Sequence, residues 1–151
     1  DRALPHPQLY CIVQRVQDIE AGVYKYQAST HTLIPIRTGH FSKDLQTALY
    51  GRNVNIELGA YTLHIADTLD FRESIWGNRA YRIQQMLVGA ALDTVMLVSS
   101  DRKASSHALL GFNAELIDRL YALDDSPCGV LAQICVGTAR RGLYREGSLI
   151  S

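Results

Sequence analysis

The residues with the most chemical content stand together in Ala108-Leu-Leu-Gly-Phe-Asn-Ala-Glu-Leu-Ile117. An apolar run breaks at Gly111, and a helix pattern starts at once. Asn113 suits an N-cap, its side-chain oxygen free to accept a hydrogen bond from the first turn. Glu115 puts negative charge where the helix dipole favours it. Backbone opened by a glycine just ahead of a helix can present N–H groups to a ligand. The same pattern also serves as a plain connection between a buried strand and a surface helix. His107 flanks this stretch and can act as an acid or stand as a hydrogen-bonded structural residue. Ser105 and Ser106 beside it do not make a triad, because adjacency in sequence is not the geometry that activates a nucleophile.

A second candidate is the basic tail. Arg140, Arg141 and Arg145 follow Gly137, and guanidinium forks match phosphate oxygens. The alternative for the same residues is a solvated basic surface. The five histidines show no paired ligand spacing, and Cys11, Cys128 and Cys135 follow no metal pattern. No metal site is therefore expected. The odd cysteine count argues against a disulfide framework and fits a reducing cytoplasm. Neither a Walker loop nor a GxGxxG turn is present.

With 151 residues, 47% hydrophobic and 20% charged, the chain has room for one cored domain over residues 1–151. Fifteen basic and fifteen acidic side chains cancel, so net charge predicts neither a nucleic-acid nor a membrane partner. No uncharged apolar run of about 18 residues marks a transmembrane helix. Asp1 without an initiator Met suggests a fragment or a processed form.

These candidates need elements to position them. Leu9 to Val16 reads as a buried strand, and Gly22 to Gln27 as a second, alternating one. Thr32 to Arg37 returns as an edge strand, because Pro35 cannot donate to a ladder. Ser42 can cap a short helix over residues 43–49. Asn53 to Gly59 fits no single pattern. Ala60 to Ala66 reads as a core strand, and Thr68 to Gly77 as irregular chain with one helical turn carrying Phe71 and Trp76. Asn78 can cap the longest helix, which ends near Ser99. From Met86 onward that helix is apolar almost all round, which predicts burial on several sides, in a domain centre or at a subunit interface. Asn113 to Leu123 is amphipathic, and Val130 to Val136 is a last buried strand. The sum is α+β: a mostly antiparallel sheet with a long central helix and a flanking helix.

That order, with these residues, resembles the C-terminal two-thirds of the nitroreductase-like flavoprotein family. It is more similar to the azoline-oxidising, SagB-type branch found in peptide biosynthesis. The resemblance rests on His6-Pro-Gln-Leu-Tyr-Cys-Ile-Val, Gly22-Val-Tyr-Lys-Tyr with Leu33-Ile-Pro-Ile-Arg-Thr-Gly, Gly77-Asn-Arg-Ala-Tyr-Arg, Leu110-Gly-Phe-Asn and Val130 to Gly137. It implies a fold that dimerises through its long helices and holds FMN at the subunit interface. It further implies that Leu110 and Gly111 meet the flavin's reactive edge through their backbone, and that Arg140 and Arg141 lie near its phosphate. The hydride chemistry would belong to the cofactor.

As partners, the resemblance implies a homodimer or a pair with a second nitroreductase-like chain, acting on a peptide- or carrier-bound substrate. Two departures shape the functional reading. The family's N-terminal helix, whose arginines bind the FMN phosphate, has no counterpart in this sequence. That implies a fragment, a segment supplied by a partner chain, or a degenerate site. The azoline oxidases also carry a Lys-Tyr pair where this chain has Ile75-Trp76, and neither of these side chains can move a proton. The expected function is an FMN-dependent oxidoreductase of peptide natural-product biosynthesis, with no catalytic residue assigned. The alternative is a catalytically degenerate module with a structural or partner-docking role.

Overall fold

A computed structural model describes residues 6–51 and 54–138. Strands β1 (Gln8–Val13), β2 (Gly22–Gln27) and β3 (Thr32–Thr38) form a meander, followed by helix α1 (Ser42–Ala48) and a 3-10 turn (Ile56–Leu58). Strand β4 (Tyr61–Thr68) runs directly into helix α2 (Leu69–Trp76), and a 3-10 turn (Gly77–Arg79) leads to the long helix α3 (Ala80–Asp101). Strand β5 (Ala104–Leu109), helix α4 (Ala114–Leu120) and strand β6 (Cys128–Thr138) complete the described chain. The six strands make one antiparallel sheet in the order β3-β2-β1-β4-β6-β5.

Period-two alternation sends side chains to two faces of this sheet. Tyr10, Ile12, Val23, Ala66 and Val130 face α1, the Ile56–Leu58 turn and α4, where they form the main core with Leu45, Ile56, Phe112 and Ile117. Ile65 and Ala132 face the opposite way and pack on Val88 of α3. The architecture is the α+β arrangement that the sequence predicts. Pro35 sits in β3 at the sheet edge, where its missing N–H costs no ladder bond.

Three local expectations are corrected. Residues Leu69–Trp76 are a true two-turn helix rather than irregular chain, stabilised by a buried ion pair that hydropathy does not show. Gly77 ends it at φ 53°, ψ −134°, a region that side chains disfavour. Ser42 and Asn78 do not cap: Ser42 is already helical, and Arg79 precedes α3 without a side-chain cap bond. The polar stretch before His107 holds the first residues of β5, because an edge strand can turn Ser105 to solvent. Finally, α3 is not buried on several sides within this chain. Only Ala80, Gln84, Val88 and Ser99 are buried, while Met86 and Leu97 are 65% and 64% exposed. The helix lies across the sheet on one face and leaves an apolar face outward. By length and composition the helical stretch could cross a bilayer, but one side of it is fixed to the sheet.

Candidate flavin-facing loop

The loop begins where β5 ends. Leu109 stands opposite Gln133 of β6, and the chain then leaves the ladder. Phe112 turns back into the main core and forms a bridge with Leu49 just after α1. Two backbone bonds fasten this bridge. The Tyr50 N–H donates to the Gly111 carbonyl at 3.0 Å, and the Asn113 N–H donates to the Ala48 carbonyl at 2.8 Å. Asn113 then caps α4 as predicted, its Oδ1 accepting from the Leu116 N–H at 3.3 Å. Leu110 and Gly111 are thus held between two anchored points.

What the loop offers is unusual for anchored backbone. The Gly111 carbonyl is engaged, but among the described residues nothing accepts from the Gly111 N–H. A Cβ built at Gly111 would meet nothing within 4 Å. The Leu110 side chain beside it is 65% exposed. A free donor, an open space where a side chain would stand, and an exposed apolar neighbour suit the edge of a planar heteroaromatic ring. FMN fits the residues present at this point. Arg140 and Arg141, expected near its phosphate, lie outside the described residues. His107 is exposed on β5, opposite Cys135 in the ladder, and not in the loop itself.

Two polar clusters escaped the sequence reading. The first is a pair at the β4–α2 corner, where Arg72 is completely buried. Its Nε and Nη2 donate to Asp67 at 2.8 and 3.1 Å, and its guanidinium lies 5.6 Å from the centre of the Trp76 ring. The indole is therefore held from one side by a cation, while Ile75 points partly to solvent. The available signal was the Asp67-to-Arg72 spacing across a strand end.

The second cluster lies in the main core, around Tyr121. The Tyr121 hydroxyl is 2.5 Å from His64 Nδ1, and His64 Nε2 is 2.9 Å from Gln133 Oε1. All three side chains are buried, and Tyr10 packs against Tyr121 with ring centres 4.8 Å apart. The signal here was a histidine and a glutamine at inward positions of two apolar strands.

Burial lowers the His64 pKa to about 4, against a raising contribution from its hydrogen bond to Gln133. The folded chain thus keeps His64 neutral, while the unfolded chain protonates it near pH 6.5. Below that pH the unfolded state binds the extra proton, so stability falls as pH drops from about 6.5 to about 4. The slope for this one group approaches ~1.4 kcal/mol per pH unit. Urea midpoints measured from pH 7 to pH 4 are expected to decline across this window. A His64→Gln variant is expected to flatten the decline, and an unchanged slope in that variant would refute the assignment.

A groove of about 600 Å³ lies between the sheet and the C-terminal half of α3, lined in part by Cys11, Val13, Leu33, Leu63, Val95 and Val98. Its helix hydroxyls, Thr94 and Ser99, are already bonded to the carbonyls of Ala90 and Val95. Burial pushes the Cys11 thiol up to about 12, so it stays protonated. Its other polar side chains are Tyr26 and His31, bonded to each other at 2.7 Å, and Tyr61, so few free polar groups are left to orient a substrate and the loop remains the stronger candidate.

No family model matches the chain, and no curated protein matches it in sequence. Solved structures do. A candidate nitroreductase from Anabaena variabilis superposes with a TM-score of 0.81 at 21% identity, over 89% of this chain and 27% of that one. The Escherichia coli microcin synthetase McbBCD complex, with truncated pro-MccB17 bound, matches with a TM-score of 0.76 at 17% identity, over 88% of this chain and 52% of that one. The chain has the nitroreductase fold. A third example of that fold, a candidate nitroreductase from Ralstonia eutropha, matches at 0.71 and 12% identity, over 90% of this chain and 59% of its own. The chain spans less than two-thirds of the length of each of these three nitroreductase-fold proteins.

Proposed function

We propose that this chain is the flavin-binding part of an FMN-dependent oxidoreductase, acting in the biosynthesis of a peptide natural product. One observation carries the reading. In an otherwise anchored loop, the Gly111 N–H has no acceptor among the described residues, and a Cβ built at Gly111 would meet nothing within 4 Å. Gly111 would donate to the ring edge, and the exposed Leu110 side chain would cover part of its surface. Bound FMN supplies hydride transfer, and the chain supplies placement and electrostatics. The anchors at Tyr50 and Asn113 fix the donor before the ring arrives, so little loop entropy is lost on binding. The peptide assignment draws on the likeness to the microcin synthetase complex, whose bound pro-MccB17 belongs to that protein.

The outward face of α3 supports a paired assembly. Met86 and Leu97 flank Gly89 and Ala90, and a Cβ at Gly89 meets nothing within 4 Å. Small residues between large apolar ones let a second helix approach closely. The partner would be a second copy or another nitroreductase-like chain, which completes a flavin site between subunits.

A specific observation also favours a second reading. At Ile75 and Trp76 the chain has no proton-carrying side chain, and the indole lies under the Arg72 guanidinium. A degenerate module that docks a partner would keep the fold and lose this chemistry. The absorbance of the purified full chain from about 300 to 500 nm, after FMN addition and desalting, separates the two. Flavin retained near one per chain supports the oxidoreductase. A colourless protein that still assembles supports docking and removes the first reading.

A further inference from the structure

The sheet ends in two edge strands, and only one of them is protected. At β3 the chain places Pro35 and Arg37, and the β2–β3 register shifts between Val23 and Tyr24. Proline, charge and bulges are devices that keep an edge from pairing with another chain. β5, at the opposite edge, has none of them. Ala104-Ser-Ser-His-Ala-Leu109 holds no proline and no Lys, Arg, Asp or Glu, and its pairing with β6 runs without a shift.

The backbone of β5 can be sorted by direction. In an antiparallel sheet, successive residues aim their N–H and C=O to opposite sides of the strand. The Val136 carbonyl accepts from the Ala60 N–H at 2.8 Å, so Val136 faces β4. Cys135 and Gly137 therefore face β5, and His107 and Ser105 opposite them face β6. Ala104, Ser106 and Ala108 are left with N–H and C=O directed away from the sheet. Among the described residues no backbone bond outside the ladder involves residues 104–109.

Two further features give this edge a destination and a preference. β5 runs straight into Leu110 and Gly111, so a strand laid along it ends at the candidate flavin-facing loop. Beside it lies a recess of about 180 Å³, lined in part by Leu58, Gly59, Ser105, His107, Cys135 and Gly137. Its lining of glycines, short side chains and one histidine suits a small, uncharged side chain. In strand addition, main-chain bonds supply affinity and such recesses read alternate side chains. A second copy of the chain fits this edge less well. The β5 side chains are mostly small or polar, whereas the centre of a subunit interface is apolar, and Met86, Met96 and Leu97 of α3 offer that surface instead.

We propose that β5 is a docking edge for the backbone of a peptide substrate. An extended stretch with small, uncharged side chains adds to it as a further strand, bonds to Ser106 and Ala108, and is led to the loop at Gly111. This rests on the reading that the chain acts on a peptide, and it adds how that peptide is held.

The test uses the full chain without flavin and the acetylated, amidated heptapeptide Lys-Val-Thr-Ala-Thr-Val-Glu, whose charged ends keep it soluble. Amide hydrogen exchange is read residue by residue. In the free chain, Ser106 and Ala108 are expected to exchange fast, and Ser105 and His107 slowly. Millimolar peptide is expected to slow Ser106 and Ala108 by about tenfold or more. The same peptide with its inner amides N-methylated is expected to leave them fast. Ser106→Pro removes an outward N–H and no ladder bond, a change that an edge strand tolerates. It is expected to weaken peptide binding about tenfold. If that variant fails to fold, Ala108→Pro gives the same comparison.

Unchanged exchange at Ser106 and Ala108 with peptide, or equal slowing by the N-methylated form, overturns the proposal. Slow exchange at both residues in the free chain also overturns it, and a dependence on protein concentration would mark the edge as a contact between copies. FMN retention is measured separately. A chain that takes the peptide but no flavin removes the flavin reading and keeps the docking edge, and a chain that takes flavin but no peptide does the reverse.

Discussion

Asp67→Ala is expected to lower the unfolding free energy by roughly 3–5 kcal/mol, the range for removing one partner of a buried ion pair. The reason lies in what remains. Arg72 is completely buried, and its Nε and Nη2 both donate to Asp67. Without the carboxylate, a guanidinium that cannot deprotonate stays in the core with only the Trp76 face beside it. Asp67 is the penultimate residue of β4, and Arg72 lies in the first turns of α2, with no loop between the two elements. The pair therefore sets the angle at which the chain leaves the sheet toward α3.

The double variant Asp67→Leu/Arg72→Met is the control. It removes both charges and keeps apolar volume, so it is expected to recover most of the loss. Guanidinium chloride melts of the three proteins provide the comparison. A loss below about 1 kcal/mol for Asp67→Ala would mean that the guanidinium finds water or another acceptor on relaxation. A double variant as unstable as the single one would mean that the corner needs the ion pair's geometry and not merely neutrality.

That corner also shows where sequence reading stopped. Strands announced themselves, because Cys11-Ile-Val, Leu63-His-Ile-Ala and Val130-Leu-Ala are apolar runs with the right length. Asn113 was legible as a cap because N-capping is a local rule with a local residue. The α2 helix was not legible. Leu69–Trp76 carries an Asp, an Arg, a Glu and a Ser among its eight residues, and its inward anchor is an arginine. Hydrophobic periodicity cannot detect a helix whose buried residue is charged.

The exposure of α3 was hidden for the opposite reason. Composition reports how apolar a helix is, but not how many sides its own chain covers. In the site, Gly111 could be picked out as a break. Its setting became clear only with the bonds that anchor the loop, Tyr50 N–H to the Gly111 carbonyl and Asn113 N–H to the Ala48 carbonyl. The polar chain of Tyr121, His64 and Gln133 needed the register, since His64 and Gln133 are 69 residues apart.

Gly111→Pro is expected to reduce FMN affinity by at least about 100-fold, toward no measurable binding, with a much smaller effect on the fold. Proline removes the Gly111 N–H, which has no acceptor among the described residues, and loss of a hydrogen bond to a polar ligand accounts for about 1.5–3 kcal/mol, or 10- to 150-fold. Its ring also fills space that is open at Gly111 and presses the preceding Leu110 toward extended backbone. No internal hydrogen bond is lost, because among the described residues this N–H has no acceptor. The Gly111 carbonyl can still accept from Tyr50.

Gly111→Ala separates the two parts of the effect. Gly111 is not among the glycines at positive φ, and the new methyl meets no protein atom within 4 Å. Alanine should therefore leave the flavin-free stability within about 0.5 kcal/mol. It keeps the donor and adds only bulk on the ligand side, so its FMN affinity should fall between wild type and Gly111→Pro. Fluorescence titration of FMN against the three proteins gives the order directly. Equal affinity in all three would place the flavin elsewhere on the chain. Equal loss in Ala and Pro would make the contact steric, with the glycine retained for its missing side chain and not for its N–H.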